Sequence, residues 1–118
     1  VNLTLGKVAD WIHAEGDFDD DALASGYSID SRTIGAGELF FAVRGERLDG
    51  HDFVEAALAN GAVGAVVSMR WLPPANVDAG RLLRVPDGSQ EDGDGDGVLL
   101  SLQQLAREVR RSWGGRVI

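Results

Sequence analysis

Apolar residues recur along this 118-residue chain in two rhythms. One is helical. Leu5, Val8, Ala9 and Ile12 fall three and four residues apart behind Thr4, whose hydroxyl suits an N-cap. They predict a helix over 5–14, ended by Gly16 and the aspartates that follow. Phe53, Val54, Ala57 and Leu58 predict a second helix over about 51–60, with Gly61 as its C-terminal stop. Leu99, Leu102, Leu105, Ala106 and Val109 predict a third over 98–112, closed by Gly114-Gly115. The other rhythm is short runs. Residues 23–29 alternate Tyr27 and Ile29 with polar neighbours, and 38–43 read Glu-Leu-Phe-Phe-Ala-Val between Gly37 and Gly45. Residues 62–68 read Ala-Val-Gly-Ala-Val-Val-Ser, kept from continuing by Pro73-Pro74, and 81–85 form a fourth run. Runs that are apolar at consecutive positions suit strands covered on both faces. Their alternation with helices predicts an α/β fold in three layers, a mostly parallel or mixed sheet flanked by helices.

Charge changes this picture in one respect. The formal net charge is -8, but ten of the 19 acids lie within 15–21 and 87–96, which contain no Lys or Arg. The rest of the chain sets 9 acids against 11 bases. The chain as a whole repels nucleic acid, while a local basic pocket for a small anion stays open to it. No cysteine is present, which excludes disulfides, thiolate metal sites and a cysteine nucleophile and fits a reducing cytoplasm. No apolar run approaches the ~20 residues of a membrane span, and Val1-Asn2-Leu3-Thr4-Leu5 lacks the regions of a secretory signal. The expectation is a cytoplasmic domain with no nucleic-acid or membrane partner.

Two polar clusters flank the 38–43 run. The first, Asp30-Ser31-Arg32-Thr33, follows a strand directly. Ser31 and the planar fork of Arg32 suit a diphosphate or a base edge. The same residues also read as a plain turn, in which Asp30 caps amides and Arg32 pairs with a neighbouring acid. The second, Arg44-Gly45-Glu46-Arg47, runs into Asp49-Gly50-His51 at the start of the second helix. Gly45 and Gly50 permit positive φ and close backbone approach, amides at the helix start suit an anion, and His51 suits contact with a ligand ring. The alternative is an exposed loop in which Asp49 only caps the helix. The two clusters lie across one strand, which favours a shared site at one end of the sheet.

Other features carry less. Asp92-Gly-Asp-Gly-Asp-Gly97 imitates the first half of a calcium loop, but Gln103 stands where a bidentate glutamate belongs, so a solvated linker is the better reading. No metal is assigned. His13 marks a polar helix edge, and Trp11, Trp71 and Trp113 are scattered packing residues. No Gly-x-x-x-x-Gly-Lys-Ser/Thr loop occurs.

The phrases Ser28-Ile-Asp-Ser-Arg-Thr33, Gly37-Glu-Leu-Phe-Phe-Ala-Val-Arg-Gly-Glu-Arg-Leu-Asp-Gly-His-Asp-Phe53 and Ala56-Ala-Leu-Ala-Asn-Gly-Ala62 together resemble the N-terminal domain of the Mur ligases. The MurF branch is nearest, then MurE. The likeness weakens between about 70 and 97, where the acidic loop resembles an insertion. The resemblance implies a UDP-substrate-binding domain over 1–115, with 116–118 starting the strand that leads into an ATP-binding domain. It implies a fragment of an ATP-dependent peptide ligase of peptidoglycan synthesis, inactive alone. That ligase adds D-alanyl-D-alanine to UDP-N-acetylmuramoyl-tripeptide, or, in the MurE alternative, the third amino acid to the dipeptide. A non-enzymatic nucleotide-sugar binding module is the remaining reading. The partners implied are UDP-N-acetylmuramoyl-peptide and the other domains of the same chain. ATP and magnesium belong to the full-length enzyme. By the same resemblance Ser31, Arg32, Thr33, Gly45, Glu46, Arg47, Asp49, Gly50 and His51 fall near the UDP end. Ser31, Arg32, Arg47 and His51 are direct contacts, Asp30 and Asp49 orient the turns, and Phe53 packs beneath the loop. No residue here is assigned to catalysis.

Overall fold

The computed structural model describes residues 3–16, 18–32, 34–43, 50–69, 71–75, 77, 79–86 and 97–114. Within them the elements run β1 (Leu3–Thr4), α1 (Leu5–Ile12), β2 (Leu23–Ala24), β3 (Gly26–Ser28), β4 (Glu38–Phe41), a 3-10 turn (Gly50–Phe53), α2 (Val54–Ala59), β5 (Gly64–Ser68), a second 3-10 turn (Ala79–Arg81), β6 (Leu82–Val85) and α3 (Gly97–Gly114). β3, β4, β5 and β6 lie side by side in chain order, all parallel, while β1 and β2 form a separate antiparallel pair.

Side chains on the sheet alternate between two cores. Leu39 and Phe41 of β4, Val66 of β5, and Leu83 and Val85 of β6 face Leu5, Val8 and Ile12 of α1 and Leu105 of α3. Phe40, Ala42, Ala65, Val67 and Leu82 face Val54 and Ala57 of α2. This is the three-layer α/β arrangement that the unbroken apolar runs predict: β4 and β5 are apolar at successive residues because both faces are covered.

Four features differ from the sequence expectation, each for a local reason. The single strand expected over 23–29 is two: Leu23–Ala24 pairs antiparallel with β1, while Gly26–Ser28 joins the parallel sheet, and between them the Ser25 N–H donates to the Gly37 carbonyl at 2.9 Å. α1 ends at Ile12, before Gly16. His13 takes up the left-handed conformation (φ 59°), and the Ala14 N–H donates to the Ala9 carbonyl at 2.9 Å, closing the helix without a glycine. β4 stops at Phe41 because the Val43 N–H turns back to the Phe41 carbonyl. The second helix opens as a 3-10 turn, and its α-helical part is six residues long. Other expectations hold. The Thr4 hydroxyl accepts from the Lys7 N–H at 3.1 Å, and Gly61 (φ 109°) closes α2. There the Ala62 N–H donates to Ala57 and the Gly61 N–H to Leu58, the paired bonds of a Schellman end. Leu105 is buried as expected, with Leu102 and Val109 packed against the same core, but Leu99, expected inward, is 38% exposed, and Val98 and Ser101 are covered in its place. Tyr27 and Ile29 are also exposed, with Tyr27 edge-on to Phe41 at 6.0 Å.

The free side of β6 is closed by a two-way backbone bridge between Glu15 and Arg84, both bonds 2.8 Å. That fixes the segment after α1 against the sheet and limits strand pairing from outside on this edge.

Candidate functional site

Parallel strands deliver their connections to one end of a sheet, and β3 and β4 do so side by side. A groove of about 650 Å³ opens there between the turn after β3 (Ile29, Asp30, Ser31, Arg32) and the crossover after β4 (Val43, Gly50, Phe53). In an open α/β sheet the carboxyl ends of strands are where ligands bind.

The turn after β3 is built from short polar side chains. The Ser28 hydroxyl accepts from the Asp30 N–H at 3.1 Å. Asp30 Oδ1 accepts from the Arg32 N–H at 2.9 Å, so its carboxylate holds the backbone of the turn. The Arg32 guanidinium lies back over the same carboxylate, Nε to Oδ1 at 3.2 Å and Nη2 to Oδ2 at 3.3 Å. The hydrogen bond to Asp30, and then its charge, raise the Arg32 pKa further above its already strongly basic value. Arg32 therefore stands as a permanent cation at the groove mouth, with an 87% exposed side chain and a fork whose present partner is one exposed carboxylate. Ser31 is buried beneath it, and its carbonyl accepts from Asn60 Nδ2 at 2.9 Å.

The crossover after β4 is built by backbone proximity. The Gly50 N–H donates to the Val43 carbonyl at 2.9 Å, so the chain leaves and re-enters at nearly one point. A Cβ on Gly50 would sit 2.7 Å from the Val43 oxygen, 2.8 Å from the Val43 nitrogen and 2.9 Å from the Ala42 carbonyl carbon. Gly50 is required for close approach. Among the described glycines positive φ falls at Gly16, Gly37 and Gly61 instead. The next residue, His51, is 5% exposed: its Nε2 accepts the Ser68 N–H at the end of β5 at 2.9 Å, and its ring lies 5.3 Å from that of Trp71. Its described contacts are thus with β5 and the segment beyond, where a strand-end amide needs an acceptor. The sequence expectation had set the ring against a ligand. The expected helix N-terminus is a 3-10 turn ahead of a six-residue helix with no side-chain cap, too short to align a row of amides on an anion.

The structure thus brings Asp30, Ser31, Arg32 and Gly50 to one groove and turns His51 into the interior. Thr33, Gly45, Glu46, Arg47 and Asp49 lie outside the described residues, as does most of the Asp92–Gly97 segment. Sequence reasoning missed Asn60; the Asn-Gly pair reads as a helix stop, and that reading hid its side chain's second use. Among the described residues no group of His, Asp and Glu is placed to hold a metal ion, and no helix is long and apolar enough to cross a membrane. A wider open depression of about 1030 Å³ beside α1 is lined by Asp10, Glu15, Asp20 and Asp21 against Lys7 and His13. That lining repels phosphate, which leaves the groove at Arg32 as the better anion site.

Comparison with known proteins agrees with this architecture. The profile of the Mur ligase family, catalytic domain, matches residues 24–85. A UDP-N-acetylmuramoyl-tripeptide–D-alanyl-D-alanine ligase of Escherichia coli (strain K12) is 34% identical over 118 residues, all of this chain and 23% of the relative. The ligase of the same name from Mycobacterium leprae is 41% identical over 88 residues, 69% of this chain and 17% of the relative. A UDP-N-acetylmuramoyl-L-alanyl-D-glutamate–2,6-diaminopimelate ligase of Geobacillus kaustophilus is 44% identical over 68 residues, 58% of this chain and 12% of the relative. This chain thus spans less than a quarter of the length of these relatives. Among solved structures, MurF from Acinetobacter baumannii superposes with a TM-score of 0.69 over 95% of this chain and 22% of its own, at 23% identity, a likeness of fold. MurF ligase from Thermotoga maritima superposes at 0.53 over 73% of this chain and 17% of its own, at 31% identity. The parallel sheet, the groove at its carboxyl end and the profile match over 24–85 together make this chain a member of the Mur ligase family.

Proposed function

We propose that this chain recognises the UDP end of a UDP-N-acetylmuramoyl-peptide, as the substrate-binding domain of a peptidoglycan ligase that adds D-alanyl-D-alanine to the tripeptide. One observation carries the ligand chemistry. A guanidinium fork stands at the mouth of a strand-end groove, held by a single exposed carboxylate that a diphosphate can replace. Ile29, Val43 and Phe53 supply apolar lining suited to a flat base beside it. In this reading Asp30 keeps the turn formed and Arg32 oriented, and Arg32 moves to phosphate when the ligand enters. Thr33, Gly45, Glu46, Arg47 and Asp49 belong to the same proposed site by sequence resemblance. His51 serves it by anchoring the crossover.

The domain's contribution is positional: fixing the distant nucleotide end orients the peptide carboxylate for chemistry elsewhere. ATP and magnesium are assigned to parts of the ligase beyond these residues, because this sequence has no phosphate-binding Gly-x-x-x-x-Gly-Lys-Ser/Thr loop. The tripeptide-ligase reading rests on the matches that reach across most or all of the chain. The diaminopimelate-ligase reading rests on a higher identity over a shorter stretch.

Titration of the chain with UDP-N-acetylmuramoyl-tripeptide, with UDP as a second ligand, followed by ligand-detected NMR, tests the proposal. Saturable binding of both, lost in Arg32→Ala, is the expected result. Binding that survives Arg32→Ala undiminished overturns the site. A clear preference for the dipeptide substrate moves the assignment to the diaminopimelate ligases.

A further inference from the structure

We infer that Asn60-Gly61 is a modification site, shut while the end of α2 is closed, at which deamidation makes an opening of that end permanent. The inference is independent of the nucleotide reading. Its chemistry starts from the sequence. Of the three asparagines, Asn60 precedes a glycine, whereas Asn2 precedes Leu3 and Asn76 precedes Val77. A backbone nitrogen that has lost its proton to solvent can attack the side-chain amide carbon of the preceding asparagine. The new C–N bond closes a succinimide ring, and the side-chain nitrogen leaves as ammonia. Water then opens the ring at either carbonyl, giving aspartate or isoaspartate. A side chain on the attacking residue crowds the approach, and glycine has none.

The fold needs this pair for another reason, and in using it holds it shut. Gly61 ends α2 at φ 109°, and a Cβ there would sit 3.1 Å from Ala36 Cα, so the helix end calls for glycine. Both residues are exposed, so water reaches them. Three features of the closed end oppose the attack. Asn60 stands at φ -85° and ψ 4°, near the helical region, which rotates the Gly61 nitrogen away from the side of Cα that bears Cβ. The Gly61 N–H, which must lose its proton, donates to the Leu58 carbonyl at 3.2 Å. Asn60 Nδ2, which must leave, donates to the Ser31 carbonyl at 2.9 Å and draws the side chain toward the turn after β3. Ring closure therefore requires the end of α2 to open.

The product then acts on the closure itself. Isoaspartate carries the main chain through the former side chain and adds one carbon between positions 60 and 61. The Gly61 N–H reaches Leu58, and the Ala62 N–H reaches Ala57 at 3.1 Å, which holds these residues to the helix. The Gly61 carbonyl accepts from the Gly37 N–H, and the Val63 N–H donates to the Glu38 carbonyl, both at 2.8 Å, which holds the same segment to the sheet. A longer link before Gly61 cannot keep both sets in register, and Ala62 between them is fully buried. A passing local opening is thereby turned into a lasting change. Aspartate, the other product, keeps the main chain intact and leaves the backbone closure formed.

The test holds the chain in mildly alkaline buffer, folded or in urea, and follows the peptide containing 60–61 by mass spectrometry for the mass gain of an amide becoming an acid. Fragmentation separates isoaspartate from aspartate. The Asp-Gly pairs of the sequence isomerise without a change of mass and stay out of the signal. In urea Asn60 is expected to react ahead of Asn2 and Asn76. In the folded chain its rate is expected to be at least about tenfold lower, as for a reaction that proceeds only through an open state. Equal rates in the two conditions overturn the protection, and no excess at Asn60 in urea overturns the site. The consequence is read on its own. Chain aged in urea, refolded and enriched in isoaspartate at position 60 is melted beside unaged chain and Asn60→Asp, which shares the lost amide but not the added carbon. A melting temperature below that of Asn60→Asp is expected. Equal melting of the two overturns the permanence.

Discussion

The turn after β3 and the crossover after β4 form the two walls of one groove, yet they are built on opposite principles. The first is polar and shallow. Its shape comes from Ser28 and Asp30 capping amides, and its most prominent side chain, Arg32, is 87% exposed. The second is tight. Gly50 lies against the Val43 backbone with no room for a Cβ, and His51 is buried on the end of β5. In sequence the two looked alike, each a cluster of charge, glycine and hydroxyl beside a strand. Structurally they divide the labour. One wall presents a cation that can change partners, and the other fixes the geometry against which that change takes place.

The sharpest way to break this comparison is at Gly50. Gly50→Ala places a Cβ within 2.9 Å of three backbone atoms that cannot rotate away. A loss of about 3 kcal/mol of stability is expected, from forced displacement of the crossover. Urea denaturation measures it. A loss under ~0.5 kcal/mol would mean that the crossover is pliable and the contrast between the walls is false. His51→Ala comes next. It removes the acceptor of the Ser68 N–H together with the ring contact to Trp71, and about 2 kcal/mol is expected. His51→Gln tests which of the two matters, since it keeps an acceptor and loses the ring.

Much of the architecture was legible because it rests on period. The runs at 38–43 and 62–68 are apolar at successive residues, which only a strand covered on both faces explains, and both became interior strands of the sheet. Thr4 and Gly61 announced their helix ends through hydroxyl capping and positive φ, effects local to one turn. What escaped depends on partners far along the chain. Nothing in Ala-Asn-Gly-Ala reveals that the asparagine amide reaches Ser31, and nothing in Gly-His-Asp reveals that the imidazole meets a strand-end amide 17 residues on. The end of α1 was missed for a third reason. His13 accepts a left-handed conformation that the sequence reading reserved for Gly16. At the candidate site, then, residue type pointed to one end of the sheet, and burial decides which of those residues face the groove.

A smaller effect sharpens the comparison from the other wall. Arg32→Ala removes an exposed side chain paired to an exposed carboxylate, so stability should change by less than ~0.5 kcal/mol. Affinity for the UDP substrate should nevertheless fall about tenfold or more, because a charge-assisted fork is lost. Calorimetry and thermal melting on the same sample separate the two. A stability loss as large as that of His51→Ala would show that Arg32 is structural and that the two walls are of one kind.

The smallest expected effect is in pH, and it discriminates between a guanidinium and an imidazole as the group that meets phosphate. Asp30 raises the Arg32 pKa, so while Asp30 is ionised any stability from that pair is present at neutral pH and, on the alkaline side, is lost only as pH rises through a value far above the working range. Arg32 therefore keeps its charge from about pH 6 to about pH 9. The diphosphate diester of a UDP-sugar has no proton to gain in that interval either, so its affinity should be flat across it. Free UDP is the internal control. Its terminal phosphate gains a second charge near pH ~6, and its binding should strengthen as pH rises through that value. An imidazole in contact with phosphate behaves in the opposite sense, since it loses its charge in the same interval and weakens binding as pH rises. A UDP-sugar affinity that declines as pH rises across the interval would thus count against Arg32 as the group that meets the phosphates.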